Sequence, residues 1–285
     1  MSRSDTVAHT ERDVPRPDGR QAPAAGRATF RHCLHAEWIK IWTMRSTRYV
    51  LLGTVVFGAA LTWLSCTTSG EEYATMTAAD RLAFDPLAAG LRSYLVAQAT
   101  LAMLGGLVIT AEHGSRGIVG TLAAVPKRGR VLAAKAVALL AVVLPAGLLV
   151  TLGGFVAGQA ALDGADVPHV ALGDPGSWRA ILGGALYLAL AGLLGLAAGT
   201  LIRSTTATVI ALFTSLLIVP AFAPAMPGRL ADWTQKYWPP SAGGQITTGY
   251  RDPSLLDPWP GLAVMAACVT ILVAAAFLAF RGRDA

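Results

Sequence analysis

Residues 101–139 read LAMLGGLVITAEHGSRGIVGTLAAVPKRGRVLAAKAVAL, two apolar runs joined by a short polar stretch. Both runs are typical of membrane-spanning helices, so the chain returns to the side of the membrane from which it came. The stretch between them carries five charged residues, Glu112, Arg116, Lys127, Arg128 and Arg130. Because it is longer and more patterned than a plain connector, we predict that a cytoplasmic partner binds it.

The rest of the chain repeats this alternation of apolar blocks and polar connections. Hydrophobic residues make up 54% of the 285 residues and charged residues only 14%, whereas a soluble domain carries about 25% charged residues. About 20 apolar residues suffice to cross a membrane as a helix. Six runs meet this requirement, at residues 49–66, 94–111, 131–156, 181–202, 206–225 and 261–280. The predicted fold class is therefore an all-α, polytopic membrane protein with six transmembrane helices.

The distribution of charge predicts the orientation. Most of the 23 Lys and Arg residues lie before residue 49, between residues 116 and 135, or at the C-terminus. Positive charge accumulates in cytoplasmic loops, so both termini are predicted to be cytoplasmic. This topology accounts for the net charge of +6, and we expect no nucleic-acid partner. The three cysteines, Cys33, Cys66 and Cys268, are scattered, so neither a metal site nor a disulfide framework is predicted.

The region before the first span divides into two parts. Residues 1–28 are rich in Arg, Asp, Pro and Ala, and we predict a disordered cytoplasmic tail. The transmembrane domain is predicted to cover residues 29–285. At its start, an apolar helical arc formed by Phe30, Leu34, Trp38 and Ile41 predicts an amphipathic helix in the headgroup layer. It is either a plain cytoplasmic extension of the first span or an elbow helix whose off-pattern charges meet a partner protein. The candidate elbow residues are Glu37, Trp38, Lys40, Trp42 and Arg45.

The remaining connections gave further expectations. The acidic residues of segment 67–93 predict a solvated outer loop, and the aromatic residues of segment 224–260 predict one or two short helices at the outer interface. Pro145 predicts a possible kink in the third span. Two small-xxx-small pairs, Gly154 with Gly158 and Gly195 with Gly199, predict close helix packing.

Motifs for energy conversion or catalysis are missing from the sequence. No span carries a charged residue at mid-depth, which argues against an ion-coupled carrier without excluding one. The phosphate-binding loop G-x-x-x-x-G-K-[ST] is absent, and no catalytic cluster is visible. We therefore expect no enzyme activity, and a transporter of this kind would take its energy from another polypeptide.

Three stretches together resemble a known family. They are EWIKIWTMRSTRYV (37–50), the spacing of Glu112, Gly117, Thr121, Leu122, Pro126, Arg128 and Lys135, and KYWPPSAGGQI (236–246). In this order within six spans they resemble the membrane subunits of ATP-binding cassette (ABC) transporters, specifically the type-2, six-span permeases of actinobacterial export systems. Departures occur at Val119, Gly120 and the Trp238-Pro239-Pro240 run.

The resemblance implies a plasma-membrane exporter subunit. Two permease chains, identical copies or paralogues, would pair in the bilayer and bind two copies of a separate ATPase. The ATPase would bind ATP and Mg²⁺, and this chain would bind no cofactor. Coupling would involve the elbow helix and a cytoplasmic coupling helix at residues 115–125. The residues implied in coupling are Glu112, Arg116, Gly117, Ile118, Thr121, Leu122, Val125, Pro126, Arg128 and Lys135.

Several points stay open at the level of the sequence. Glu112 either pairs with Lys135 or a basic elbow residue, or is solvated. Lys127, Arg128 and Arg130 either bind acidic groups or serve only as positive-inside anchors. A different function, an ATP-independent secondary carrier or a membrane assembly factor, is the alternative to the ABC permease.

Overall fold

The computed structural model describes residues 29–114 and 128–282, without the side chains of Glu71, Glu112, His113 and Arg128. The predicted tail, residues 1–28, lies outside the described residues. Helices account for all regular structure in the described part, which contains no strand. In chain order they are α1 (Phe30–Thr43), α2 (Arg45–Thr75), α3 (Ala78–Leu82), α4 (Pro86–Gly90), α5 (Ser93–Gly114), α6 (Arg128–Gly164), α7 (Ser177–Ile202), α8 (Thr205–Ala225), α9 (Arg229–Tyr237), α10 (Pro239–Gly244) and α11 (Pro258–Gly282).

Six of the described helices are long and apolar enough to cross a membrane: α2, α5, α6, α7, α8 and α11. They coincide with the six predicted spans, so the all-α, six-span fold class is confirmed. The fold follows directly from the sequence, because each apolar block can satisfy its backbone hydrogen bonds only within a helix when it lies in hydrocarbon.

The core of the bundle is α7, which packs against α5, α6, α8 and α11. In the most apolar part of each helix, 78% of the residues of α7 are buried, against 22% in α2, α8 and α11. Glycines make this central position possible. A Cβ atom on Gly195 would overlap the carbonyl oxygen of Ala102 on α5, and one on Gly192 would touch Val143 on α6. The predicted close packing at Gly195 and Gly199 is confirmed.

The second small-residue pair is also used inside the chain. A Cβ atom on Gly154 would overlap the hydroxyl of Ser93, and one on Gly158 would overlap the backbone of Gly90. Both glycines of α6 therefore admit the segment that connects α2 to α5. Since both predicted pairs are occupied by helices of the same chain, they give no support to dimerisation.

The segment predicted as a solvated loop, residues 67–93, is largely structured. Helix α2 continues to Thr75, and its hydroxyl side chains bond to carbonyls one turn earlier, as in the 2.8 Å bond from Thr75 Oγ1 to Glu72 O. Arg81 then caps the helix end by donating to Tyr73 O and Ala74 O at 3.2 and 2.9 Å. The segment is therefore helical where a loop was predicted, while the described acidic residues Glu72 and Asp80 are exposed, as predicted.

Asp85 orders the second half of this segment. Its Oδ1 accepts hydrogen bonds from the backbone of Leu87 and Ala88 and so caps α4, at 3.0 and 3.1 Å. Its Oδ2 accepts from the backbone of Gly249 and Tyr250 at 2.7 and 3.0 Å. One carboxylate therefore joins the α2–α5 connection to the segment that precedes α11.

The connection between α8 and α11 contains the two short helices that the sequence predicted, α9 and α10. Helix α10 and the turn after it enter the bundle between α7 and α11, where Ala242 and Ile246 are fully buried. Glycines again permit the contact, since a Cβ atom on Gly243 would crowd Tyr187 and Met265. Irregular backbone at this depth is stable because protein surrounds it.

Candidate functional site

A sharp corner separates α1 from the first span. Helix α1 ends at Thr43, Met44 adopts an extended conformation with φ −73° and ψ 109°, and α2 begins at Arg45. The two helices are therefore separate elements instead of one continuous extension. Whether α1 acts as an elbow for a partner protein stays a prediction.

The face that α1 buries differs from the predicted apolar arc. Its buried residues are Cys33, Glu37 and Ile41, spaced four residues apart, while Trp38 and Trp42 stay 39% and 46% exposed. The two indole rings contact each other at 5.7 Å between centroids. Half-exposed tryptophans of this kind are typical of the membrane interface. The sequence arc therefore predicted the helix correctly and its buried face only in part.

The buried face of α1 packs on the first half of α6. Cys33 contacts Val131 and Ala134, and Ile41 contacts Ala138 and Val142. The α6 residues follow a helical spacing, so one stripe of α6 receives the whole buried face of α1. We refer to this contact as the α1–α6 seam.

An ion pair lies in the middle of the seam. Lys135 Nζ is 2.9 Å from Glu37 Oε2 and 3.4 Å from the carbonyl oxygen of Val108 on α5. The other Glu37 oxygen is 3.1 Å from Lys40 Nζ. Lys135 is 1% exposed and Glu37 is 4% exposed. A buried charge of either sign is stable only when paired, so the pair holds α1, α5 and α6 in one arrangement.

These contacts change the roles expected for both residues. The contact with Lys135 accounts for the off-pattern charge of Glu37 within its own chain. Lys135, implied as a coupling residue, is 1% exposed and contacts both Glu37 on α1 and Val108 on α5; its role in coupling stays a prediction. Its predicted pairing with Glu112 stays a prediction, since the Glu112 side chain lies outside the described residues.

Most of the implied coupling residues also lie outside the described part of the chain. This applies to Arg116, Gly117, Ile118, Thr121, Leu122, Val125 and Pro126, and to the side chain of Arg128. The described helices do give the points of attachment. Helix α5 is described to Gly114 and α6 from Arg128, and both residues lie at the end of the bundle where α1 packs.

A second polar cluster lies around α8. Pro220 has no N–H and cannot bond to the carbonyl of Leu216 one turn earlier. The helix adopts a π turn over Thr214–Ile218 at this point, with the N–H of Val219 bonded to Thr214 O. Together these two features release the carbonyls of Ser215 and Leu216 from the helix.

Side chains from two other elements bind both released carbonyls. Gln98 Nε2 on α5 donates to Leu216 O at 3.3 Å, and Trp238 Nε1, between α9 and α10, donates to Ser215 O at 2.8 Å. The Tyr187 hydroxyl on α7 donates to Gln98 Oε1. We refer to these residues as the π-turn network; it joins α5, α7 and α8 to the α8–α11 connection.

Sequence reasoning missed this network although two signals were present. A proline in the fifth span frees a carbonyl that must find another donor, and Gln98 is an uncharged polar residue within an otherwise apolar span. Charged residues inside the spans, which the sequence lacks at mid-depth, are not the only polar groups that can join helices. Neither signal identifies which helices meet, because that depends on tertiary packing.

Several ionisable groups at the other end of the bundle are exposed. His169 Nε2 lies 3.6 Å from Asp163 Oδ1, and both side chains are exposed. Hydrogen bonds from Ser254 lower the pKa of Asp252, which is fully exposed. Among the described residues, no group of three or more His, Cys, Asp or Glu side chains could hold a metal ion.

No family model matches the chain, and none of the curated proteins matches it significantly. The family resemblance therefore depends on the three sequence stretches and on the order in which the six spans carry them.

Proposed function

We propose that this chain is the membrane-spanning permease subunit of an ATP-binding cassette exporter in a bacterial plasma membrane. A separate ATPase supplies the energy, and the chain itself provides helices that rearrange around a cargo. The observation that carries the proposal is the buried Glu37–Lys135 pair, which links α1 to the helix that follows the candidate coupling segment.

The Glu37–Lys135 pair would couple a movement of α6 to a movement of α1. An ATPase that moves segment 115–127 would pull on the adjoining ends of α5 and α6, since these helices flank the segment. Lys135 lies about two turns into α6 and contacts both α5 and α1. A movement of α6 would therefore move α1 as well, because separating the buried charges is costly.

The exposed surfaces are compatible with an arrangement of two chains. The spans α2, α8 and α11 are the least buried, and they carry large exposed apolar side chains such as Phe57, Phe213 and Leu278. Lipid or a second copy could cover these surfaces. The proposal includes a dimer of this chain, or a pair with a paralogue, with both termini in the cytoplasm.

The decisive experiment is co-purification with ABC ATPases encoded next to this gene. The wild-type chain is expected to retain one such ATPase through size-exclusion chromatography and to raise its ATP hydrolysis after reconstitution. The double variant Leu122→Ala/Arg128→Ala should lose both effects. Arg229→Ala is the matched control, because Arg229 is an exposed basic residue in the α8–α11 connection, on the opposite side of the membrane in the predicted topology.

Two outcomes would contradict the proposal at different levels. If none of the neighbouring ATPases binds the wild-type chain, the transporter assignment is wrong. If the wild-type chain binds one and the double variant binds and stimulates it equally well, the coupling segment is wrong while the subunit assignment stands.

A further inference from the structure

An apolar cleft of about 390 Å³ lies beside the corner between α1 and α2. Its walls come from four elements: the end of α1, the start of α2, the second half of α5 and one stripe of α6. Apart from the hydroxyl groups of Ser46, Thr47 and Thr100, the side chains that line it are apolar. The volume is within the range of ligand-binding cavities, about 300–1,000 Å³.

The length of the cleft corresponds to one leaflet of a bilayer. It extends along α5 from Thr100 to Ala111, which is roughly 16 Å at 1.5 Å per helical residue. Half of a hydrocarbon core about 30 Å thick is about 15 Å. The cleft therefore runs from the α1 end of the bundle to the middle of the membrane and stops there.

The cleft opens sideways, through a rim of apolar side chains. Met44, Val50 and Leu107 line it and are nevertheless 48%, 42% and 41% exposed. Side chains of this type at this depth face hydrocarbon. An unfilled cavity of this size would forfeit the dispersion contacts of its walls, and close-packed protein interiors contain few voids larger than a water molecule.

Basic residues lie beside the end of the cleft that is nearest to α1. Met44, Ser46 and Thr47 line it, and Arg45 and Arg48 alternate with them along the first turn of α2. Both arginines are exposed, and none of the described residues forms an ion pair or hydrogen bond with either side chain. Basic residues at this level of a membrane bind anionic lipid headgroups.

We propose that the cleft binds one acyl chain of an anionic phospholipid from the leaflet on the α1 side, with the lipid phosphate beside Arg45 and Arg48. The length of the cleft equals the thickness of one leaflet, so it can hold one acyl chain. Its apolar walls suit hydrocarbon, and the positive charge of the two arginines suits an anionic headgroup. This inference is independent of the proposed transport function. It assigns a lipid site to the corner between α1 and α2.

Electron paramagnetic resonance of the full chain in phosphatidylcholine vesicles tests the assignment, with spin-labelled phosphatidylglycerol or phosphatidylcholine as the probe. The wild-type chain is expected to immobilise about one more phosphatidylglycerol than phosphatidylcholine per chain. Leu104→Trp fills the cleft and should remove this extra lipid. Leu95→Trp is the matched control, since Leu95 lies on the same helix, does not line the cleft and is 43% exposed.

A second variant separates lipid binding from misfolding. Arg45→Gln/Arg48→Gln changes only exposed side chains and should lower the preference for phosphatidylglycerol by up to about thirtyfold, or about fivefold for each basic residue. Equal immobilisation of both lipids by the wild-type chain would overturn the proposal. An unchanged lipid count in Leu104→Trp would also overturn it. If Leu104→Trp changed the oligomeric state but not the lipid count, the cleft would be a contact between copies of the chain and the lipid proposal would be wrong.

Discussion

Replacing Lys135 by methionine tests the α1–α6 seam most directly. The substitution keeps an unbranched side chain, one heavy atom shorter, and leaves Glu37 buried without the partner that lies 2.9 Å away in the wild type. Removing one member of a buried ion pair costs about 3–5 kcal/mol. Lys40 still lies 3.1 Å from the other carboxylate oxygen, so we expect a value near the lower limit, about 3 kcal/mol.

The chain contains a natural reporter for this loss. Cys33 is 8% exposed and packs in the seam, so a thiol reagent reaches it only when α1 separates from α6. A destabilisation of about 3 kcal/mol raises the separated population roughly a hundredfold, since each 1.4 kcal/mol is a factor of ten. The measurement is the rate of maleimide labelling in detergent, in a Cys268→Ser background; Cys66 is fully buried.

Two further variants show whether charge pairing is the cause. Lys40→Met removes the partly exposed partner and should raise the labelling rate by only a few-fold, because exposed pairs contribute about 0–1 kcal/mol. In Glu37→Leu/Lys135→Met both buried charges are gone, and the rate should return toward that of the wild type. A Lys135→Met chain that labels at the wild-type rate would refute the seam as an electrostatically held contact.

Three further predictions concern the packing of the bundle. Gly195→Ala should destabilise the fold by about 2 kcal/mol or more, because the added methyl group overlaps backbone on α5. Gly153→Ala is the control and should be neutral, since the space around its Cβ position is open. Thermal unfolding followed by size-exclusion chromatography compares the two variants. Gln98→Leu should lower the free energy of unfolding by about 1–3 kcal/mol, because the carbonyl of Leu216 loses its donor. Adding Pro220→Ala should recover part of this stability, since residue 220 then has an N–H for that carbonyl. The same thermal unfolding assay measures both effects. Asp85→Ala should speed proteolysis near residues 249–252 while leaving the spans folded, and an unchanged cleavage rate would contradict its role as a link between the two outer segments.

Membrane-spanning elements could be read from the sequence because a long apolar block has only one stable form in hydrocarbon. Their ends were harder to define. Helix α2 extends past its apolar block, and the bonds from Arg81 to its last carbonyls are not visible in mean hydropathy. The burial of α10 depends on the glycines that admit it, and glycine in a loop is equally consistent with exposure.

The candidate site was predictable only in part. Glu37 was recognised as an off-pattern charge within an apolar arc, but the contact predicted for it was with a partner protein. The identity of the partner could not be read, because Lys135 is distant in sequence and meets Glu37 only through the packing of α1 on α6. The coupling residues of segment 115–127 stay a prediction from family resemblance.

The central position of α7 bears on where a cargo would cross in the proposed transport function. Its glycine faces are filled by α5 and α6, and α8 and α11 cover much of the remainder. The described helices that surround α7 thus leave little of its surface uncovered. In the proposed transport function, a conduit would be an external groove sealed by lipid or by a second subunit, with walls from the exposed sides of the peripheral helices.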